Sequence, residues 1–183
     1  GVVLVLIVLI SLVTAVMMRT LSVRQIVSDL GQEADLLPRD DARIDRLRGV
    51  LRFATVAWGP NNVSEWEILK MISYIQNAFP LVHTSPYVRR ERVANLSLLY
   101  RVLGSNRELP PYLLMAHLDV VPANFEKWEH PPFSGNMESG YVYGRGALDD
   151  KPAVMGVLEG LEGLLLRGHQ PVRSFVRSEE RRV

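Results

Sequence analysis

His117 and Asp119 are the first two side chains whose types and spacing suggest a metal ion. They stand two residues apart, directly after the apolar run 112–116, which is typical of a buried strand. Alternate residues of a strand share one face, so the imidazole and the carboxylate project together at the strand's carboxyl end. Such a pair suits a metal ligand and the group that orients it, although a His-x-Asp pair alone is more often structural.

A third candidate, Asp149, follows a glycine-rich turn. Residues 141–143 are typical of a short strand, residues 144–146 (Gly-Arg-Gly) of a turn, and Asp149 opens the apolar-periodic segment 152–166. An aspartate at a helix start accepts backbone N–H bonds and can still present an oxygen to a cation. By itself Asp149 would be an ordinary helix cap. Together with His117 it predicts a metal centre.

Three separated motifs strengthen this prediction: HLDVVP at 117–122, WEHPPFSG at 128–135 and YGRGALDDK at 143–151. In this order they resemble the co-catalytic zinc metallopeptidase family that includes aminoacylase, carnosine dipeptidase, carboxypeptidase S and the secreted N-fatty-acyl-amino acid synthases/hydrolases. The resemblance is greatest to the last group and runs over residues 43–175. It implies an α/β fold, a mixed sheet with flanking helices, and an enzyme that hydrolyses amide bonds.

The resemblance also implies a role for each candidate. His117 would ligate one zinc ion, Asp149 would bridge two, and Asp119 would orient His117 through its other ring nitrogen. The chemistry agrees, because a carboxylate has two oxygens for a metal pair whereas a neutral imidazole has one lone pair. Two Zn²⁺ ions would polarise an amide carbonyl and bring the pKa of bound water toward ~7. N-acyl amino acids, hydrolysed or formed by the reverse condensation, are the first substrate choice, and small peptides, for a carboxypeptidase or dipeptidase, are the second.

The sequence departs from the family after residue 175. The family continues with a strand and then Gly-His-Asp-Glu-Glu, whose first glutamate is the general base and whose second is a zinc ligand. The matching residues here would be Glu179 and Glu180, but they come about four residues early, roughly 13 Å along a strand. They could instead belong to a polar, irregular terminus. The family's lid and dimerisation domain does not follow. We therefore expect an incomplete catalytic domain with little activity, and the alternative function is a non-catalytic exported fragment.

The N-terminal segment bears on location. Residues 2–18 are apolar except for one serine and one threonine, and as a helix they would extend about 25 Å. This suits either a cleaved signal peptide or a signal anchor within residues 1–22, ahead of a catalytic domain over residues 23–183. Asn62 and Asn95 each begin an Asn-x-Ser sequon, which is usable in the secretory lumen. We expect a protein that is secreted or membrane-anchored in the secretory pathway.

Composition excludes some classes of function. The 183 residues include 21 Lys and Arg against 20 Asp and Glu, and no basic stripe with aromatic residues indicates nucleic-acid binding. The sequence has no cysteine, which excludes disulfides and thiolate ligands. A chain of this length can bury one core but not the two domains that an enzyme of the resembled family normally carries.

Apolar periodicity predicts the elements that position these side chains. Helical spacing predicts helices over 40–51 and 152–166, and Ser64 with Glu67 predicts a capping box ahead of another helix that Pro80 ends. Two strands are predicted by apolar runs: 93–103 and 112–120.

Three polar residues near the motifs receive structural or minor roles. Arg145 is predicted to hold its turn by pairing with a carboxylate. Lys151 is predicted to be a surface charge or a local counter-ion. His130 lies in the loop between motifs and is predicted to be structural, with metal binding as the lesser alternative.

Overall fold

The chain forms two units in the computed structural model, which describes residues 1–22, 40–59 and 62–180. The first unit, Gly1–Arg39, contains helix α1 (Val2–Ser22). The second unit, Asp40–Val183, contains the remaining described elements. The predicted start of a catalytic domain at residue 23 lies outside the described residues.

Helix α1 is apolar over nearly its whole length, and its side chains are exposed within its own unit. Its 21 residues extend about 32 Å as an α-helix, close to the roughly 30 Å of a bilayer's hydrocarbon core. By length and composition it could cross a membrane, and a signal sequence has the same character. The helix is longer than the predicted apolar segment 2–18.

The second unit is an α/β structure, as the sequence predicts. Its helices are α2 (Asp41–Leu51), α3 (Glu65–Ala78), α4 (Pro80–Thr84) and α5 (Lys151–Leu166). Its strands are β1 (Ala57–Gly59), β2 (Asn62–Val63), β3 (Val88–Val93), β4 (Ser97–Val102), β5 (Tyr112–His117), β6 (Asn136–Glu138), β7 (Tyr141–Tyr143) and β8 (Phe175–Glu180). The main sheet has the order β3-β4-β8-β5, in which β5 and β8 are parallel and the other neighbours antiparallel. A mixed sheet with flanking helices confirms the predicted fold class.

The core lies between this sheet and helices α3 and α5. Val154 and Leu158 of α5 are buried in one cluster with Leu98 and Tyr100 of β4. Helix α3 adds a stripe of four buried side chains at helical spacing: Ile68, Met71, Ile72 and Ile75. The other face of the sheet is open, because Leu113 and Met115 of β5 are 55% and 60% exposed.

The helices predicted over 40–51 and 152–166 are confirmed, but the predicted capping box is wrong. The Asp40 carboxylate caps α2 by accepting hydrogen bonds from the backbone N–H groups of the first turn. At α3, Ser64 occupies the cap position, yet its side chain makes no cap hydrogen bond within the described structure. The Glu67 carboxylate accepts instead from the backbone N–H of Ala54, at 3.2 Å. A contact distant in sequence has replaced the local one.

Both predicted strands are shorter than expected. The predicted strand 93–103 is part of a hairpin, because the chain reverses between β3 and β4 at Ala94 and Asn95, whose φ angles are 46° and 64°. Strand β5 ends at His117, and Val120 forms an isolated parallel bridge with Val56. The early end of β5 leaves His117 at the carboxyl edge of the sheet, where the chain turns away.

Candidate metal centre

His117 is held by two contacts that define the role of each ring nitrogen. Its Nδ1 lies 2.9 Å from the backbone carbonyl oxygen of Asp119, and its Nε2 lies 2.9 Å from Oδ1 of Asp149. A carbonyl oxygen only accepts, so Nδ1 carries a hydrogen. In a neutral imidazole, Nε2 would then carry a lone pair and no hydrogen, and this lone pair would face a carboxylate oxygen. Two acceptors at this distance require a proton or a metal ion between them.

Asp119 lies behind His117, as predicted, but the closer acceptor is its backbone. The Asp119 side chain is buried, and its Oδ1 is 3.6 Å from Nδ1, beyond hydrogen-bond distance. The expectation that the carboxylate orients the ring therefore changes: the carbonyl oxygen is at bonding distance. The i, i+2 spacing does not show this, because β5 ends at His117 and the backbone bends back toward the ring.

Asp149 reaches His117 from the loop between β7 and α5. The loop is closed by two backbone hydrogen bonds, from Ala147 N–H to the Gly144 carbonyl and from Lys151 N–H to the Gly146 carbonyl. Gly146 has a φ of 87°, and a Cβ there would lie 2.8 Å from a methyl group of Val120. Glycine is required by both the conformation and the close approach. The cap position of α5 is Asp150, so Asp149 is not the helix cap.

A cleft of about 840 Å³ surrounds this contact. His117, Asp119 and Asp149 contribute polar atoms, and its apolar lining includes Trp58 and Leu148. The side chain of Asp149 is 75% exposed, so a solute in the cleft can reach it.

Arg145 and Trp128 pack against each other in the wall of the cleft. The guanidinium of Arg145 lies 5.1 Å from the centre of the Trp128 ring, and its Nη2 donates to the Pro122 carbonyl oxygen at 3.4 Å. Arg145 thus ties its turn to the neighbouring loop through an aromatic ring and a carbonyl, in place of the carboxylate pairing predicted from the sequence. Sequence reasoning also missed Trp58, which carries no motif signal.

The donor types and their spacing fit a zinc ion, but the described residues supply fewer donors than the three or four that zinc sites normally have. Two ligands at 2.0–2.2 Å from one ion lie roughly 3.0 to 3.5 Å apart, so the 2.9 Å between Nε2 of His117 and Oδ1 of Asp149 needs only a small opening. Imidazole nitrogen and carboxylate oxygen are both zinc ligands. Over residues 1–22, 40–59 and 62–180, no group of three or more His, Cys, Asp or Glu side chains could hold a metal. The described residues supply two donors.

The structure does not bring Glu179 to this contact. In β8, Glu179 pairs with Ala116, and its side chain is fully buried against Arg177 on the face that packs on α5. A general base must lie within hydrogen-bond reach of the proton that it removes, directly or through one water. Glu179 therefore does not have the position that its predicted role requires. The physical reason is the alternation of β8, which directs residue 179 into the core.

Glu180 ends β8 in register with His117 on the adjacent parallel strand. Its side chain lies outside the described part of the chain. Its role as a metal ligand stays a prediction.

The other described histidines near the core have structural partners. His83 contacts the Phe79 carbonyl oxygen at 2.7 Å and the Tyr100 hydroxyl at 3.1 Å, and burial lowers the pKa of His83. His130 contacts Glu138 at 3.1 Å and packs on the Tyr143 ring. His130 therefore packs in its loop, as predicted.

Lys151 differs most from its prediction. It is fully buried, and its Nζ donates to the carbonyl oxygens of Val50 and Phe53 at 2.9 and 2.8 Å. Burial lowers the pKa of Lys151 to about 7, and Glu67 opposes that shift. The prediction of a surface charge is wrong, since the sequence alone does not show that α2 ends above this side chain.

Comparison with known proteins agrees with this geometry. Residues 113–180 match the sequence profile of the peptidase family M20/M25/M40. The chain belongs to this family. It is 46% identical over 132 residues to the N-fatty-acyl-amino acid synthase/hydrolase of Xenopus tropicalis, covering 72% of this chain and 26% of the relative. It is 42% identical over 134 residues to a probable carboxypeptidase S-like protein of Dictyostelium discoideum, covering 71% and 25%. The chain thus spans about a quarter of the length of these M20 relatives.

Solved structures show the same fold. Human carnosine dipeptidase 1 superposes with a TM-score of 0.61 at 19% identity, covering 76% of this chain and 31% of that one. The M20 metallo-carboxypeptidase Sso-CP2 of Sulfolobus solfataricus gives a TM-score of 0.61 at 18% identity, covering 78% and 31%. Both are M20 enzymes, so the second unit has the fold of part of an M20 catalytic domain.

Proposed function

We propose that this chain carries the first part of the metal centre of a zinc-dependent amidohydrolase that acts on N-acyl amino acids. The observation that carries the proposal is the 2.9 Å contact between His117 Nε2 and Asp149 Oδ1, two zinc-ligand atoms that would need only a small opening to hold one ion between them. Membership of the M20 family supports a hydrolase, and the 46% identity to an N-fatty-acyl-amino acid synthase/hydrolase supports the substrate.

Each residue of the site has a defined task in this proposal. His117 would hold Zn²⁺ through Nε2, and Asp149 would bridge it to a second ion with its carboxylate. Asp119 keeps the imidazole in the Nδ1–H tautomer through its carbonyl oxygen. Bound zinc would supply Lewis acidity toward an amide carbonyl and lower the pKa of water. The apolar lining from Trp58, Leu148 and their neighbours suits an acyl chain.

A peptidase acting on small peptides is the second candidate. The 42% identity to a carboxypeptidase S-like protein favours it. The two candidates share one metal centre and differ in what lies on either side of the amide bond. They are distinguished by comparing N-acyl amino acids with dipeptides as substrates of the longer protein.

Location is part of the proposal. Helix α1 would direct the chain into the secretory pathway, either as a cleaved signal peptide or as an anchor in contact with the membrane through residues 2–18. The protein would be secreted or anchored there. Expression in secreting cells, followed by N-terminal sequencing, separates the two outcomes.

The metal centre is tested by titrating the 183-residue chain with Zn²⁺ in detergent. His117→Ala and Asp149→Ala each remove one of two donors, so each is expected to weaken binding by at least about tenfold. His169→Ala is the matched control, because His169 is exposed and follows the end of α5. Equal affinity for His117→Ala and His169→Ala would refute the site.

A further inference from the structure

Lys151 has an environment that is unusual for an ammonium group. It is the first residue of α5 and is fully buried, and both of its side-chain hydrogen bonds go to backbone carbonyl oxygens, of Val50 and Phe53. These carbonyls lie at and just beyond the C-terminal end of α2, where the helix dipole is negative, and each also accepts a backbone N–H bond, Val50 from Phe53 and Phe53 from Thr55. Burying an amine is costly unless it is fully bonded. The two hydrogen bonds of Lys151 offset this cost, and an apolar side chain of similar size could not make them.

The segment 50–53, to which Lys151 donates its hydrogen bonds, leads directly to a residue that contacts the backbone beside His117. After Phe53 the chain continues to Thr55, whose Oγ1 donates to the Leu118 carbonyl oxygen at 2.7 Å and whose carbonyl accepts from Val120 N–H at 2.9 Å. Leu118 is the residue directly after His117. The end of α2 thus fixes the backbone on which the imidazole stands.

The other side of Lys151 supports Asp149. Its backbone N–H donates to the Gly146 carbonyl oxygen at 3.2 Å, which closes the loop containing Asp149. Its side-chain methylenes pass 3.3 to 3.4 Å from the position that a Cβ on Gly146 would occupy. Lys151 is therefore connected to both halves of the candidate site.

We propose that Lys151 is a positioning residue of the metal centre, which sets the separation of His117 and Asp149 by fastening the Asp149 loop to the segment beside His117. This inference rests on the proposed metal site. It assigns Lys151 no contact with metal or substrate. Its effect is transmitted through hydrogen bonds to Val50 and Phe53.

The test compares metal affinity with stability in the 183-residue chain. Lys151→Met removes both donors at similar size, Lys151→Arg keeps donors, and Leu158→Ala is a control that opens a cavity elsewhere in α5, at another fully buried side chain. Co²⁺ affinity and the visible absorption of bound Co²⁺ are measured together with urea unfolding. Lys151→Met is expected to weaken Co²⁺ binding about 10- to 100-fold and to shift the spectrum, the range typical of groups that orient metal ligands.

The control separates positioning from general loss of stability. Leu158→Ala is expected to lose stability with unchanged Co²⁺ affinity and spectrum, and Lys151→Arg to recover part of the affinity. If Lys151→Met does not fold, Lys151→Gln replaces it, because the shorter amide cannot reach both carbonyls. Affinity and spectrum that match those of Leu158→Ala would overturn the inference. His117→Ala distinguishes the two failures: if it leaves Co²⁺ binding unchanged, the proposed metal centre itself fails.

Discussion

One imidazole shows how a few contacts define the chemistry of this site. His117 has a carbonyl oxygen at Nδ1 and a carboxylate oxygen at Nε2, each at 2.9 Å. The first contact fixes the tautomer, and the second then leaves a lone pair directed at an anion unless a cation intervenes. The proposed metal role rests on this pairing of contacts and not on the presence of a histidine, since His83 and His130 have other partners.

Asp119→Asn is expected to lower Zn²⁺ affinity by about tenfold or less, the low end of the range for groups that orient ligands. The carbonyl that accepts the Nδ1 hydrogen is retained in this variant, and the negative charge of a carboxylate 3.6 Å from Nδ1 is removed. Competition with a chromophoric chelator measures the affinity, with His169→Ala alongside. A loss as large as that of His117→Ala would mean that the carboxylate is itself a ligand.

Glu179 gives the fold a pH dependence of unusual sign for a carboxylate. Burial raises the pKa of Glu179 above its ordinary value of 4.5, and Arg177 only partly opposes this. Above pH 4.5 and up to the raised pKa, the folded state binds a proton that the unfolded state releases. The stability from this group is therefore greatest below pH 4.5 and is lost as pH rises through the folded pKa.

Urea unfolding of the wild type and of Glu179→Gln over about pH 4 to 8 measures this effect. Relative to the variant, the wild type is expected to lose stability as pH rises, because only the wild type has the carboxyl group. The difference between the two curves isolates Glu179 from other titrating groups. A difference that is constant with pH would contradict the expected shift.

Among the elements, β8 is where sequence pattern and environment conflict. Its alternation places Phe175, Arg177 and Glu179 on the core side, next to Tyr100. The Arg177 guanidinium contacts both the Val154 carbonyl oxygen and Glu179. The contact with Glu179 is an ion pair without hydrogen-bond geometry, so both Glu179 oxygens, together with Nε and Nη1 of Arg177, make no hydrogen bond within the described part of the chain. A buried ion pair with unmet donors and acceptors stabilises a fold less than apolar side chains of similar size.

Replacing both members of this pair is expected to stabilise the second unit. Arg177→Leu with Glu179→Leu should raise the free energy of unfolding by about 1 to 4 kcal/mol, whereas Glu179→Leu alone should lower it by about 3 to 5 kcal/mol because an unpaired guanidinium stays buried. Chemical denaturation of the wild type, the single variant and the double variant measures both. A double variant less stable than the wild type would show that the pair is net stabilising.

The elements that the sequence predicts well are those with their own periodic signal. Helices α2 and α5 have apolar stripes and clear ends, and the buried stripe of α3 follows the same rule. The hairpin turn at Ala94 and Asn95 is not predicted, because residues 93–97 contain no glycine or proline to mark a turn. Contacts between residues distant in sequence are not predicted either. The Glu67 carboxylate accepts a hydrogen bond from Ala54 N–H and does not cap its own helix, and Lys151 is buried beneath α2.

For the candidate site, the motif spacing predicted that His117 and Asp149 come together, as they do. No local pattern shows which atom of Asp119 contacts the imidazole ring.

At the scale of the whole molecule, the second unit leaves apolar surface exposed. Leu113 and Met115 lie on the open face of β5, which is also an edge strand of the main sheet. Unpaired edges and apolar faces favour association between chains. Together with a chain that spans 26% of its Xenopus relative, this surface indicates that the catalytic fold of the relatives contains more than these residues provide.

The 183-residue chain expressed by itself is expected to show no appreciable amidohydrolase activity. Catalysis needs a base within reach of zinc-bound water and enough ligands to hold the metal while one position stays open. The described residues offer two donors, His117 and Asp149, and place Glu179 in the core. The measurement is hydrolysis of an N-acyl amino acid with added Zn²⁺, for the chain and for its His117→Ala variant. Equal background rates are expected, because two donors without a base do not make a full site. Turnover by the chain clearly above that of the variant would contradict this prediction. It would mean that residues outside the described part of the chain supply a base and further ligands, and Glu180→Gln would be the first variant to test.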